Sequence, residues 1–390
     1  VWLCGFLRMS TTGLSAQAFG QDNKNDNILV LLRGICVALS VGLILIICQK
    51  VYIDAGLALA GGSEQVQFYA QQYAQVRIWG APAALANLVI LGWLIGNQHS
   101  KIVMWLLITA NLVNVALDLL FVFGFGWQVK GVALASLIAE YSAMLLGLFF
   151  IATHYQHTVT TLLPDKKQVL FTILERSALL SYFRLNRDIL IRTLCLQITF
   201  LFITFQGAKL GDNVVAANAI LMNFLLLISF GLDGIANATE AMVGKAHGEK
   251  NTHKLRQVVN IALFWNLIFA SLYSFIFLVA GEYLLTLITN IDTVINFAKD
   301  YLFWIILLPI VSCWCYLYDG VYVGLLQAKV MRNSMIIATF TCFFPLWFLL
   351  KSYNNHGLWA AFIGFMLVRG ITLAWHFHSK VLKQNTLTYS

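Results

Sequence analysis

Apolar residues in this chain fill whole blocks rather than alternating or marking a single helical face. A helix needs about 20 of them in succession to cross a bilayer. Eleven blocks meet that length or come close to it: 1–19, 28–49, 78–97, 101–123, 131–153, 188–208, 213–243, 257–280, 301–326, 334–351 and 357–378. The block 213–243 is too long for one upright span, so it is expected to tilt or to run past the membrane. Residues 64–77 are helical in pattern but polar, which suits an interfacial helix leading into the third span. Most connections are short. The longest, about 154–187, holds Pro164, Asp165, Lys166, Lys167, Arg176, Arg184 and Arg187. It divides the chain into a first lobe (1–160), a middle loop (161–187) and a second lobe (188–390).

The pattern also repeats. Ala18 to Asn23 closes the first block, and Ala246 to Asn251 closes the seventh, 228 residues later. Gly92 and Gly96 recur at the same offset as Gly320 and Gly324, and Gly131 to Ala135 recurs as Gly357 to Ala361 at 226. Both copies run in the same direction, which is a parallel repeat of the kind found in transporters. The expected fold is an all-α polytopic membrane protein of two six-helix lobes, with eleven of twelve helices present. The second half has six blocks and the first has five. The partner of 188–208 therefore falls before residue 1, and a first helix with roughly 50 residues is expected upstream.

Composition supports this reading. Hydrophobic residues make up 60% and charged residues 11%, against about 25% charged in soluble domains. The net charge of +8 sits in loops, which points to lipid headgroups and topology rather than nucleic acid. Alternate loops carry sixteen and six Lys and Arg residues. The positive-inside rule puts the richer set, with the middle loop and the C-terminus, in the cytoplasm. The seven cysteines lie in apolar segments, and Cys313 and Cys315 have the wrong spacing for zinc. They read as packing residues.

Few polar groups interrupt the spans. Each ionised one costs about 2.5–3.5 kcal/mol at a span centre, so each needs a reason. Asn111, Asn114 and Asp118 share one face of the fourth span. A carboxylate beside amide oxygens can hold sodium or a proton. The competing reading is helix-to-helix hydrogen bonding worth about 0.6 kcal/mol a bond. The first span carries Arg8, Ser10, Thr11, Thr12, Ser15 and Gln17, which must face a cavity or a partner helix. Arg8 is expected to pair with a carboxylate, Asp118 or one on the upstream helix. Asp233 and Glu240 share a face of the seventh span; for Glu240 beside Lys245 a solvated salt bridge is the plainer reading. Asp319 sits among aromatics and is read either as a cavity carboxylate or as structural glue. Glu140 ranks below it because its sequence neighbours are apolar. No phosphate-binding glycine loop, HExxH or GxSxG occurs, so the chain reads as no enzyme and as drawing on an ion gradient.

Several runs resemble the multidrug and toxic compound extrusion (MATE) family, DinF branch: Phe6 to Gly20, Leu91 to Gly96, Leu185 to Leu190, Leu232 to Gly234 with Glu240, and Met331 to Met335. The resemblance implies twelve helices in two lobes and an antiporter of the bacterial inner membrane. It exports small organic, often cationic, compounds in exchange for protons or sodium, works as a monomer among membrane lipids, and has no cofactor. It also implies a cation site on Asn114 and Asp118, with Ser136 as a contributing hydroxyl, an unmapped first-helix aspartate, and a tenth-helix carboxylate at Asp319. The alternative is a lipid-linked precursor flippase of the same plan. Such a flippase would need several cavity cations, and the spans hold chiefly Arg8 and Arg369.

Overall fold

The computed structural model describes residues 2–60, 63–156 and 171–382. Among them there is no β-strand. The helices are α1 (Phe6–Gly20), α2 (Lys24–Ile47), α3 (Gln49–Ala60), α4 (Glu64–Arg77), α5 (Ala81–Gly96), α6 (Ser100–Asp118) and α7 (Gln128–His154). They continue as α8 (Arg176–Leu210), α9 (Asp212–Gly248), α10 (Thr252–Ile288), α11 (Asp292–Gly324), α12 (Ala328–Ile337), α13 (Phe344–Leu350) and α14 (Asn354–His376). Nine described stretches are long and apolar enough to cross a membrane. One of these, Ala328–Val381, turns back at Lys351–Tyr353 and so makes two passes. With the shorter α1, eleven helical passes result, matching the eleven apolar blocks.

The chain forms two compact units, Val1–Phe183 and Arg184–Ser390. Residues 176–187 are helical rather than loop, since α8 starts at Arg176. Charge alone breaks an apolar block, but arginine, leucine and alanine are good helix formers and carry the helix beyond it. The middle of the expected loop, 157–170, lies outside the described residues. The polar helix 64–77 is present as α4, buries no side chain, and runs through a tight turn at Ile78–Gly80 into α5.

The repeat holds down to single hydrogen bonds. α1 ends with Asn23 N–H donating to Ala18 O at 3.0 Å, and α9 ends with Asn251 N–H donating to Ala246 O at 3.0 Å. Asn23 and Asn251 then cap the next helices, accepting from Asp26 N at 3.1 Å and Lys254 N at 2.9 Å. Asp22 and Lys250 take φ of 53° and 54°. The run Lys24–Ala60 matches Thr252–Ile288 in length, and Glu64–Gly96 matches Asp292–Gly324.

The repeated glycines explain the tightest packing. A β-carbon on Gly320 would lie 2.6 Å from Ala236 O, and one on Gly324 would lie 2.6 Å from Glu240 O. The equivalents Gly92 and Gly96 press on Arg8 O and Thr12 O of α1. Small residues let membrane helices approach this closely.

Each unit has its own apolar centre. In the first, Leu7, Leu31, Val89, Trp93 and Leu94 meet between α1, α2 and α5. In the second, Phe224, Phe277, Ile305, Phe343 and Phe362 meet around α9, α10 and α11. Each is closed by a buried amide pair with a tryptophan. Asn27 pairs with Asn97 while Trp93 donates to Asn27 O, and Asn218 pairs reciprocally with Asn355 while Trp359 donates to Asn218.

Candidate functional site

The first unit holds a cavity of about 240 Å³ between α5, α6 and α7. Its polar lining is Arg77, Asn87, Asn111, Asn114, Ser136 and Glu140. The helical spacing read from the sequence therefore does bring Asn111 and Asn114 to one place, and α7 presents Ser136 opposite them. Asn114 Nδ2 donates to Ser136 Oγ at 3.2 Å, while Asn111 Nδ2 donates back to Leu107 O at 2.9 Å. Asp118 follows one turn beyond. Its Oδ1 is shut off from solvent and has no hydrogen-bond partner. Directly after Asp118 the helix widens into a π-helical stretch, Leu119–Gly124. Such stretches cluster at functional sites because they shift side-chain register.

Glu140 is better supplied with partners than its sequence neighbours suggested. Arg77, at the end of α4, grips it with both terminal nitrogens, at 2.7 and 2.6 Å. Asn87 Nδ2 also donates to Glu140 O at 2.8 Å. A mid-span glutamate calls for a partner, but Arg77 ends a polar helix outside the spans, and nothing in its own segment points to Glu140.

The oxygens lining this cavity are hard donors: amide carbonyls, a hydroxyl and the Arg77-bound carboxylate of Glu140, with Asp118 outside the lining. They suit sodium or a proton rather than a transition metal. Among the described residues, no three His, Cys, Asp or Glu side chains cluster for a metal. The orphaned Asp118 Oδ1 is the atom that a proton or a cation would satisfy.

Other expected cavity residues lie elsewhere. Ser10, Thr11, Thr12 and Ser15 are buried in the seam of α1. Three of these hydroxyls donate to α1 carbonyls: Ser10 to Leu7, Thr12 to Arg8 and Ser15 to Thr12. Thr11 meets Tyr182 Oη at 3.4 Å. Their polarity serves helix packing, not a cavity. Arg8 and Gln17 are half-buried on the same helix.

In the second unit Asp319 Oδ2 accepts from Arg192 Nη1 at 2.9 Å and from Arg369 Nη2 at 2.7 Å. Asp319 is thus the centre of an ionic lock between α8, α11 and α14, and its carboxylate is already taken. Arg192 and Arg369 were the two cations inside second-half spans, which is the signal that could have paired them with it. Asp233 is exposed on α9. Glu240 is only 2% exposed, not solvated as the plainer reading had it, because α9 presses there against Gly324.

The chain matches the MatE family profile over residues 1–120 and 189–349. It is 39% identical to DNA damage-inducible protein F of Escherichia coli (strain K12) over 376 residues, covering 96% of this chain and 80% of that protein. It is 24% identical over 366 residues to the probable multidrug resistance protein NorM of Bacillus cereus, covering 92% and 78%. Among solved structures it resembles MATE in the bent conformation, with a TM-score of 0.84 at 20% identity over 99% of this chain and 85% of that one. It also resembles an outward-facing multidrug resistance MATE family transporter of the MOP superfamily, with a TM-score of 0.82 at 20% identity over 98% and 85%.

Proposed function

This chain belongs to the MatE family, a family of transporters and not of enzymes, and on that premise we propose that it is a secondary antiporter. It exports small organic compounds, cations among them, by alternating access in exchange for protons or sodium. The name of the Bacillus cereus relative, a probable multidrug resistance protein, supports the substrate class. The single observation that carries the coupling assignment is the buried, unpartnered Oδ1 of Asp118. A carboxylate oxygen shut off from water without a partner is costly, and a bound proton or small cation would satisfy it. Asn114 spends its amide N–H on Ser136, which leaves its carbonyl oxygen as a second ligand. Filling the site removes one negative charge from the wall of the unit and relaxes the helix at its π-helical stretch. Emptying it restores the charge. The protein is read as a monomer in the bacterial cytoplasmic membrane, with its C-terminus inside.

The test is transport of ethidium by the protein in liposomes under imposed proton and sodium gradients. Wild type is expected to move ethidium with one gradient. Asp118→Asn is expected to lose that gradient dependence while keeping its thermal stability in detergent. Unchanged, gradient-driven efflux in Asp118→Asn would falsify the assignment.

A further inference from the structure

Two sequence runs with no part in the coupling site meet in the second unit, in the first half of α8 and the middle of α12. Asp188 is buried on α8. Its Oδ1 accepts from Arg332 Nη1 at 2.8 Å and from Arg187 Nη2 at 3.2 Å. Two nitrogens on one oxygen at those distances are at most 6.0 Å apart. Arg332 is pinned further, since its Nε and Nη2 donate to Asn333 Oδ1 at 3.2 and 2.9 Å. A guanidinium has five N–H donors, so both arginines keep donors unspent. The Arg187 side chain is 60% exposed. Arg184 and Lys329, one turn before each arginine, are exposed as well. Four cations against Asp188 leave this edge clearly positive.

Below the arginines the surface is apolar. Leu194, Ile198, Leu201 and Phe205 are all exposed. They follow Arg187 at helical offsets of 7, 11, 14 and 18, which keeps them on one face. Eighteen residues of helix rise about 27 Å, close to the hydrocarbon thickness of a bilayer. Ile337, the last residue of α12, and Phe340, in the helical turn that follows it, are likewise exposed beyond Asn333. An anchored guanidinium pair at the head of a long apolar stripe has the chemistry of an amphiphile with one anionic head. Arginine pairs bind phosphate by paired hydrogen bonds.

We propose that Arg187 and Arg332 form a site for the phosphate of an anionic glycerophospholipid, with its acyl chains lying along the α8 stripe. Asp188 is the positioning residue that holds the two guanidiniums together. Its carboxylate also keeps the pair from being a simple point of high positive charge, so that geometry as well as charge selects the headgroup. The leaflet follows the orientation proposed above, and the site itself does not depend on the transport reading.

The experiment uses the full chain, delipidated in detergent. Melting temperature and native mass spectra are recorded with added phosphatidylglycerol, phosphatidylcholine or inorganic phosphate. Wild type is expected to be stabilised by phosphatidylglycerol over phosphatidylcholine and to retain it as a bound adduct. Each arginine lost is expected to weaken that preference about fivefold. Arg187→Gln is the primary variant because its side chain is mostly in solvent and its loss leaves the Asp188–Arg332 bridge in place. Arg332→Gln is the second, and Arg176→Gln, at the exposed start of α8, is the control expected to keep the preference. Equal stabilisation by both lipids, or a full preference retained in Arg187→Gln, would overturn the proposal. So would inorganic phosphate reproducing the whole effect, since the site would then serve a soluble anion.

Discussion

At the scale of single residues, Asp118 and Asp319 illustrate how environment divides two similar carboxylates. Both stand in apolar helices. Asp319 is held by two guanidiniums, and Asp118 has a bare oxygen. Breaking a buried ion pair by removing one partner costs about 3–5 kcal/mol. Asp319→Asn is therefore expected to destabilise the second unit by about 3 kcal/mol, measured by denaturation in detergent, and to leave the ion dependence of the surviving transport unchanged. A shift in ion dependence would place the coupling site at Asp319 instead. A third residue responds to pH. His99, in the turn between α5 and α6, bonds Tyr155 Oη at 2.8 Å. Burial, and then the nearby His154, lower its pKa from 6.5. With the folded value below the unfolded one, the unfolded chain binds the proton first. Stability is whole above pH 6.5 and falls as the pH drops through the folded value. His99→Gln is expected to flatten that part of a melting-temperature profile between pH 7 and 5.

At the scale of elements, the glycine seams set how closely the helices approach. Gly320 leaves no room for a methyl group against Ala236 O, whereas Gly234 on α9 has open space around it. Gly320→Ala is expected to cost about 1–3 kcal/mol through overpacking. Gly234→Ala is expected to be neutral or to stabilise by up to about 1 kcal/mol, because alanine is the better helix former. Equal effects from the two substitutions would show that the seam yields easily. The repeat gives these glycines meaning, because the same contacts recur between α1 and α5 as between α9 and α11. It was legible in the sequence because close approach tolerates only the smallest residue, and that constraint appears at both copies. Glu140 with Arg77 was not legible. The two are 63 residues apart on different helices, and nothing local to either names the other.

At the scale of the whole molecule, the distribution of basic residues makes a topological prediction. A cysteine introduced at Lys380 is expected to react with a membrane-impermeant maleimide only in opened cells. One introduced at Lys351, in the turn before α14, is expected to react in intact cells. The reverse result would invert the orientation. What the sequence determined by itself was everything that follows from solvent and period: the eleven apolar blocks, the parallel repeat, the family, and the face shared by Asn111, Asn114 and Asp118. Burial in lipid requires long apolar runs, and helical geometry converts spacing into facing without reference to the rest of the chain. Only the tertiary structure decided which charges are already paired. It closed Asp319 between Arg192 and Arg369, buried Glu240 under Gly324, turned the α1 hydroxyls into a packing seam, and joined Arg332 to Asp188. Those outcomes depend on which helices become neighbours, and a helix's neighbours are chosen by packing across the fold, which spacing along one segment does not encode.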